Sequence, residues 1–359
     1  MQTQIVELNN SSWQQAIKDL RHDFYHLPEY VYLESKRTNT IPEAVLISED
    51  NKQFFVPYLL RSCENLFEDS QEIPEAYDVS SPYGYPGFLF NEAAANSPKF
   101  ISSAIDNLKS VLANKNVCSA FFRLHPILNL GLNKFLPNKI CQLTGETVSI
   151  NLELSEEEIW RQTRNDHRNK INWCKRAGMT SKMVSFQEYI HEFMDIYEET
   201  MSRVGAVDSY YFDYEYFSEM LQLGDKLHLC IVEWEGEIAS AGLFTECCGI
   251  VQFHLSGTKN KFLKQAPSKL MLDFVRYWGK ERGNKIFHLG GGLGGGKDSL
   301  YEFKSGFSKQ NQPFVTIRLI TDEEKYNYLV QLRAKVLNTQ VEEIIKSNFF
   351  PAYRSPNIR

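Results

Sequence analysis

The sequence has no apolar run long enough to cross a bilayer, and Met1 to Leu20 lacks the basic start and continuous apolar stretch of a secretory leader. It has no Cys-x-x-Cys pair. Its 7 cysteines are an odd set without a histidine at ligand spacing, which speaks against a disulfide framework or a zinc site and for reduced thiols. Excess positive charge is missing too: 39 Lys and Arg face 45 Asp and Glu, a net charge of −6. No global field therefore draws in nucleic acid, and DNA is not an expected partner. These absences point to a cytoplasmic protein with no membrane span, no metal and no permanently bound cofactor.

What is present is globular. At 359 residues and 43% hydrophobic content the chain suits two domains, each able to bury its own core. In the second half, β-rich runs at 226–234, 237–246 and 249–258 are joined by Glu235-Gly236 and Cys247-Cys248, the short connections of an antiparallel meander. A helix follows, with Pro267 near its start, Leu270, Met271, Phe274, Val275 and Trp278 at helical spacing, and Gly283 as its stop. A short strand at 285–289, a short helix in "SLYEFKSGF" and a strand in "PFVTIRLI" complete the order β-β-β-α-β-α-β.

The first half repeats this order: a hairpin of "AVLISED" and "QFFVPYLL", a third strand in "YGYPGFLF", a helix in "FISSAIDNLKSVLANK" and strands in "SAFFRLHP" and "ETVSINLEL". Two copies of one α/β unit, 1–152 and 153–359, account for the length. The second copy begins with a basic helix and ends in a long one. Ser155 with Glu158, Ser185 with Glu188 and Thr321 with Glu324 have capping-box spacing and predict helix starts. After the last box, Tyr328, Leu329, Leu332, Val336, Leu337, Val341 and Ile344 form one apolar stripe, the packed face of that long final helix.

The stretch "HLGGGLGGGKDSL" (288–300) fits two phosphate-loop spacings. Gly291, Gly296 and Lys297 match a P-loop, and Gly290, Gly292 and Gly295 match the dinucleotide fingerprint. Both are rejected on topology, because such loops follow the first strand of a parallel sheet and too little chain remains to complete one. Asp298 also stands where a P-loop needs Ser or Thr for magnesium. The run instead follows the end of a strand, with bare amides at Gly290, Gly291 and Gly292, His288 before it and Asp298, Phe303 and Lys304 after it. That combination favours a ligand site over a spacer. A second candidate is the basic segment from Arg161 to Lys182, where Arg164, Arg168 and five further cations face only Asp166 and could hold phosphates.

Several motifs carry a resemblance: "SPYGYPG" (81–87), "RLHP" (123–126), "RNDHRNKINWCKRAG" (164–178), "HLSGT" (254–258) and "FHLGGGLGGGKDSLYEFKSGFS" (287–308). With the repeated β-β-β-α-β-α-β order, the chain resembles the Fem family of peptidoglycan aminoacyltransferases and its FemAB-like acyltransferase relatives, built from two tandem GNAT-like domains. The fold class implied is α/β, of the α+β kind, each domain a mixed, mainly antiparallel sheet flanked by helices. The activity implied is attack of an amine on an activated acyl carbon, without a covalent enzyme intermediate. The resemblance casts Lys304 as the lysine of the Fem Phe-Lys motif, stabilising negative charge, and the backbone at Ser256 and Gly257 as the oxyanion contact. His254 and His288, at strand ends beside the proposed site, are general-base candidates, and Asp298 either caps the short helix or orients Lys304. Donor contacts fall on Ser256, Gly257, Gly290 to Gly292, Arg164 and Arg168. Acceptor contacts fall on Tyr83 and Tyr85 in a Gly/Pro-rich loop and on Arg203, Tyr210 and Tyr211. His125, the first-half counterpart of the site histidines, reads as structural.

Two departures matter. The phosphate loop of GNAT enzymes has no counterpart in "KNKFLKQAPSKL" (259–270), and the coiled-coil arm of some Fem enzymes is missing. The expectation is an N-acyltransferase moving an acyl group from acyl-CoA to an amine of a cell-envelope, glycan or small-metabolite precursor, in cell-wall or polysaccharide synthesis. The alternatives are a Fem-type enzyme with aminoacyl-tRNA as co-substrate, and a GNAT pair that binds a glycan or peptide without catalysis.

Overall fold

Two-residue connections set the local architecture. A tight hairpin of this kind needs positive φ in its loop, and the chain supplies it at Asp50 (54°), at Glu235 and Gly236 (52° and 81°) and at Cys248 and Gly249 (44° and 81°). The second meander turn thus falls one residue later than the sequence suggests, because Gly249 takes the left-handed conformation without a side-chain clash.

The structure, a computed structural model, describes residues 1–8, 11–64, 66–67 and 75–356. In chain order its elements are β1 (Gln2–Glu7), α1 (Ser11–Lys18), α2 (Pro28–Thr38), β2 (Ile41–Glu49), β3 (Lys52–Ser62), β4 (Tyr77–Ser80), β5 (Leu89–Phe90), α3 (Glu92–Ala95), α4 (Pro98–Asn114), β6 (Val117–Arg123) and β7 (Cys141–Asn151). There follow α5 (Glu156–Gln162), α6 (Asn165–Arg176), β8 (Thr180–Val184), α7 (Ile190–Val204), α8 (Tyr214–Met220), β9 (Leu227–Trp234), β10 (Glu237–Cys247) and β11 (Ile250–Thr258). The chain ends with α9 (Pro267–Glu281), β12 (Ile286–Gly290), α10 (Ser299–Ser305), β13 (Gln310–Ile320), α11 (Glu323–Val336) and α12 (Val341–Lys346).

Two compact units result. The first comprises Met1–Thr144 and Phe314–Arg359, the second Gly145–Pro313. Strand order is β1-β2-β3-β4-β6-β13 in the first and β8-β9-β10-β11-β12-β7 in the second. Both follow one plan: four antiparallel strands, one parallel pair (β4 with β6, β11 with β12) and a closing antiparallel strand. This is the expected pair of similar units, each a mixed, mainly antiparallel sheet flanked by helices.

The expected division at 152/153 is corrected by the pairing. β13 bonds β6 from Thr316 opposite Arg123 to Ile320 opposite Ser119, and Val315, Ile317 and Leu319 enter the first core beside Phe122 and Leu108. Residues 148–151 of β7 pair with β12, and Val148 and Ile150 join Phe287, Leu289 and Met271 in the second core. Each closing strand therefore follows, in sequence, the other unit's second parallel strand.

Other expectations shift locally. The third strand of the first half is β4, with "YGYPG" a loop ahead of the short β5. Ser155 and Glu158 do form a capping box, whereas Ser185 accepts from the Glu188 amide in a turn and α7 starts only at Ile190. Thr321 turns its hydroxyl to the Val117 carbonyl, so Asp322 caps α11 instead, accepting from the Lys325 amide. The single long final helix is two, α11 and α12, because Asn338 adopts a φ of 49°.

The assignment of β13 predicts that Ile317→Ala lowers stability by about 2–5 kcal/mol, read as a lower urea midpoint. Limited proteolysis should then cut first within residues 1–144. First cuts within 145–313 would reject the assignment.

Candidate functional site

In the second unit, β11 and β12 pair in parallel only from Ile250 opposite Ile286 to Gln252 opposite His288. At this last rung the side chains meet as well, His288 Nδ1 lying 2.7 Å from Gln252 Oε1, with both residues buried. With the amide oxygen as acceptor, Nδ1 carries the proton. Both strands bulge just beyond: His254 is the extra residue of β11 against β10, and Leu289 that of β12 against β7. Bulges end pairing and re-aim side chains. β11 accordingly runs on to Thr258 without a ladder to β12.

The unladdered part of β11 holds Ser256 and Gly257, opposite Gly242 and Ala241. A Cβ on Gly257 would strike the Ile196 carbonyl, so glycine lets α7 lie directly on the strand. The Gly257 carbonyl accepts from Ser240 Oγ at 2.7 Å. Arg203 spends its guanidinium here, donating to Thr258 O at 3.0 Å and Asn260 Oδ1 at 2.6 Å, which ties the end of α7 to the end of β11. Tyr210 accepts at its carbonyl from the Tyr197 hydroxyl, and Tyr211 is 42% exposed. His254 is partly exposed, yet burial of its ring pushes its pKa down to about 3, leaving it neutral and a weak base.

The glycine run is a tight turn, and Gly291 and Gly292 within it, with Gly145 opposite, are needed for close packing. A Cβ on Gly291 would sit 2.7 Å from the Glu146 carbonyl, one on Gly292 would overlap Gly296 O and Asp298 Oδ1, and one on Gly145 would overlap Gly295 O. Gly290 has a φ of 77°. Asp298 binds the turn to α10: one oxygen accepts from the Leu293 amide, the other from the Tyr301 amide as N-cap, both at 2.9 Å. Burial works to raise the Asp298 pKa, but amide donation from Tyr301, Leu293 and Leu300 outweighs it and holds the carboxyl below its ordinary value. Lys297, the P-loop look-alike lysine, bridges to Glu146 at 3.1 Å, and Tyr301 donates to the same carboxylate at 2.8 Å.

Lys304 closes the arrangement. On α10 and only 8% exposed, it donates from Nζ to the Gly291 carbonyl at 2.7 Å and lies 5.8 Å from the centre of the Phe253 ring on β11. Burial pushes its pKa down to about 8, partly opposed by the Asp298 charge. Lys304, Asp298, Gly290–Gly292, His288, His254 and the Ser256-Gly257 strand thus gather where the β11–β12 ladder ends.

Arg164 reaches α10 from the start of α6, its amide bonding Gly306 O at 2.8 Å and its guanidinium pairing with Asp166 at 2.6 Å and Glu302 at 3.7 Å. Arg168 bonds Asn165. The expected basic face is partly neutralised, Lys175 by Asp273 and Lys182 by Glu233, while Lys170 donates to the Lys264 carbonyl. It is also not one helix, since α6 ends at Arg176 and Lys182 lies on β8. The residue that the sequence left unremarked is His167, and Asp166 figured there only as the lone acid of the basic segment. His167 is buried, with Nδ1 2.9 Å from Asp166 and Nε2 2.9 Å from Phe303 O, and it occupies the space a Cβ on Gly306 would need. The "DH" pair inside a basic helix is the signal that could have revealed them. Tyr83 and Tyr85 belong to the first unit. Tyr83 donates its amide to Glu34 and accepts from Tyr30, and Tyr85 packs edge-on against Phe314.

The lowered Lys304 pKa has a stability consequence of definite sign. Between pH 8 and the unfolded lysine value of about 10.4 the unfolded chain holds a proton that the folded one has lost, so stability contributed by this group rises with pH across that window. Relative to Lys304→Met, the wild type should gain up to about 3 kcal/mol between pH 7.5 and 10.5 in parallel urea titrations. A constant difference would place the ammonium in water.

No family model matches the sequence, and no curated protein matches it. Solved structures do. FemX is similar over 91% of this chain and 99% of its own, with 12% identity and a TM-score of 0.69. L-PGS from Bacillus licheniformis is similar over 87% and 92%, with 14% identity and a TM-score of 0.52. The chain therefore has the fold of FemX.

Proposed function

We propose that this chain is an N-acyltransferase, passing an acyl group from an activated donor, acyl-CoA in the leading reading, to an amine of a cell-envelope, glycan or small-metabolite precursor. The observation that carries the reading is Lys304, buried where the β11–β12 ladder ends and held against the carbonyl of the glycine turn. A lysine with a pKa of about 8 is still mostly charged near neutrality, and a desolvated cation acts strongly on negative charge that develops nearby. The likeness to the Fem motifs and the fold shared with FemX support the same chemistry.

In this reading the neutral amine attacks the acyl carbon. A C–N bond forms, the bond from carbon to the donor's sulfur or oxygen breaks, and the amine's proton leaves with the departing group or a base. Whichever backbone amide at Ser256 or Gly257 faces away from β10 offers the oxyanion contact, and Lys304 offsets charge on the donor side. His288, its Nδ1 proton fixed by Gln252, is a better-placed base candidate than the weakly basic His254. The metabolic setting proposed is cell-wall or polysaccharide synthesis in the cytoplasm. Tyr83, Tyr85, Arg203, Tyr210 and Tyr211 remain the acceptor candidates, of which Tyr211 is exposed and Tyr210 half-buried.

One observation favours aminoacyl-tRNA as donor. The turn before α9 lacks glycine, Pro267 at the helix start has no amide to give a phosphate, and the Lys264 and Gln265 carbonyls are taken by Lys170 and Cys174. Against a binding-only protein stands the energetic cost of a buried lysine, which a pure binder has no need to bear.

Calorimetric titration with CoA should give micromolar binding, and Lys304→Ala should keep the fold while lowering acyl transfer by at least about 100-fold. No CoA binding, with transfer from aminoacyl-tRNA, would replace the donor and keep the reaction. Full activity in Lys304→Ala would sink the mechanism.

A further inference from the structure

A second feature, in the first unit, lies outside this chemistry. Between Asp106 and Glu146 the sequence has no acidic residue, although acids outnumber bases in the whole chain. The connection from β6 to β7 lies within that stretch. It exposes Leu130 (62%) and Phe135 (46%), with Lys134 and Lys139 exposed in the same stretch, and Leu143 (64%) follows at the start of β7. Neither lysine is ion-paired among the described residues. The C-terminal turn adjoins the connection through Arg318, whose amide donates to Ile140 O at 2.9 Å and whose guanidinium donates to Asn348 Oδ1 at 2.6 Å. α12 exposes Ile345 and the turn after it Phe349; of the two acids of α12, Glu343 pairs with Lys346 at 2.8 Å and Glu342 is exposed.

Exposed large apolar side chains in a stretch that carries cations and no acids, as 107–145 does, mark an interaction surface. We infer that this face of the first unit docks on an anionic lipid bilayer, with Leu130, Phe135 and Leu143 entering the headgroup–acyl boundary and Lys134 and Lys139 meeting lipid phosphates. The composition fits lipid better than a protein partner. Protein hot spots draw on Trp, Tyr and Arg, with Leu under-represented, whereas interfacial segments pair Leu and Phe with Lys. Asn133 and Asn138 in the connection and Gln142 on β7 add no charge that an anionic surface would repel.

The test is co-sedimentation of the full chain with vesicles of phosphatidylcholine alone and of an equimolar mixture with phosphatidylglycerol. Wild type should pellet with the mixed vesicles and be released by high salt. Lys134→Gln with Lys139→Gln should weaken partitioning about 25-fold, since each lysine near an anionic surface is worth about a factor of five. The triple change Leu130→Ser, Phe135→Ser and Leu143→Ser should weaken it by about 10-fold or more. Melting curves check that both variants fold, and the lysine pair leaves every apolar contact in place. Wild type remaining in the supernatant, equal binding to neutral vesicles, or unchanged partitioning of both folded variants would each overturn the inference. So would pelleting without vesicles, which would make the face a contact between proteins.

Discussion

The second unit is organised by the point at which one parallel ladder stops. Up to Gln252 and His288 the two strands satisfy each other's backbone groups, and the side-chain hydrogen bond between those residues closes the last rung. The bulges at His254 and Leu289 then remove the register that further pairing would need. Unpaired strand edges have to be packed or left for a ligand. α7 covers one face of β11 through Gly257, while β12 runs into the glycine turn that α10 holds in place. The position of Lys304 follows from these facts, since α10 is fixed to the turn by Asp298 and to α6 by Arg164 and His167.

Glycine density in the turn has a packing cause. At Gly145, Gly291 and Gly292 a methyl group would meet backbone or carboxylate oxygen, so the strand end, the turn and the helix cap approach as backbones only. The close approach also brings the Gly291 carbonyl within 2.7 Å of the lysine. A buried ammonium with no acceptor would be far more costly, and its pKa would fall further. The turn therefore resembles a phosphate loop in sequence while using its carbonyl and its close contacts rather than a row of free amides.

Much of this was legible in the sequence because it rests on local rules. The meander, the helix after Pro267 and the strand before the glycines all follow from periodicity and turn chemistry, and the cap position of Asp298 follows from its place before a helical run. What was not legible depends on distant partners. The basic segment reads as more cationic than it is while Asp273, Glu233 and Glu302 are out of view. Thr321 has capping-box spacing, but the Val117 carbonyl competes for its hydroxyl. β8 is a short edge strand whose existence depends on β9, and the allegiance of β13 is decided by pairing with β6, far away in sequence. The bulge at His254 has no composition signal at all.

The shared plan also explains why the two units differ. In the first, β4 and β6 pair in parallel from Tyr77 to Ser80, as β11 and β12 do in the second. There the chain does not diverge: the Ser81 amide bonds Phe121 O, Ser81 Oγ accepts from the Arg123 amide, and the Gly87 amide bonds Arg123 O. The loop carrying Tyr83 and Tyr85 continues the pairing where the second unit opens. His125, just past β6, is fixed as well. Its Nδ1 accepts from the Ile127 and Leu128 amides, so Nε2 holds the proton and donates to the buried Asp23 carboxylate at 2.9 Å. A ring with both nitrogens engaged in this way is a structural post. One plan thus yields a closed unit, where loop and histidine fill the gap beside the parallel pair, and an open one, where the strands part and a buried lysine stands at the opening.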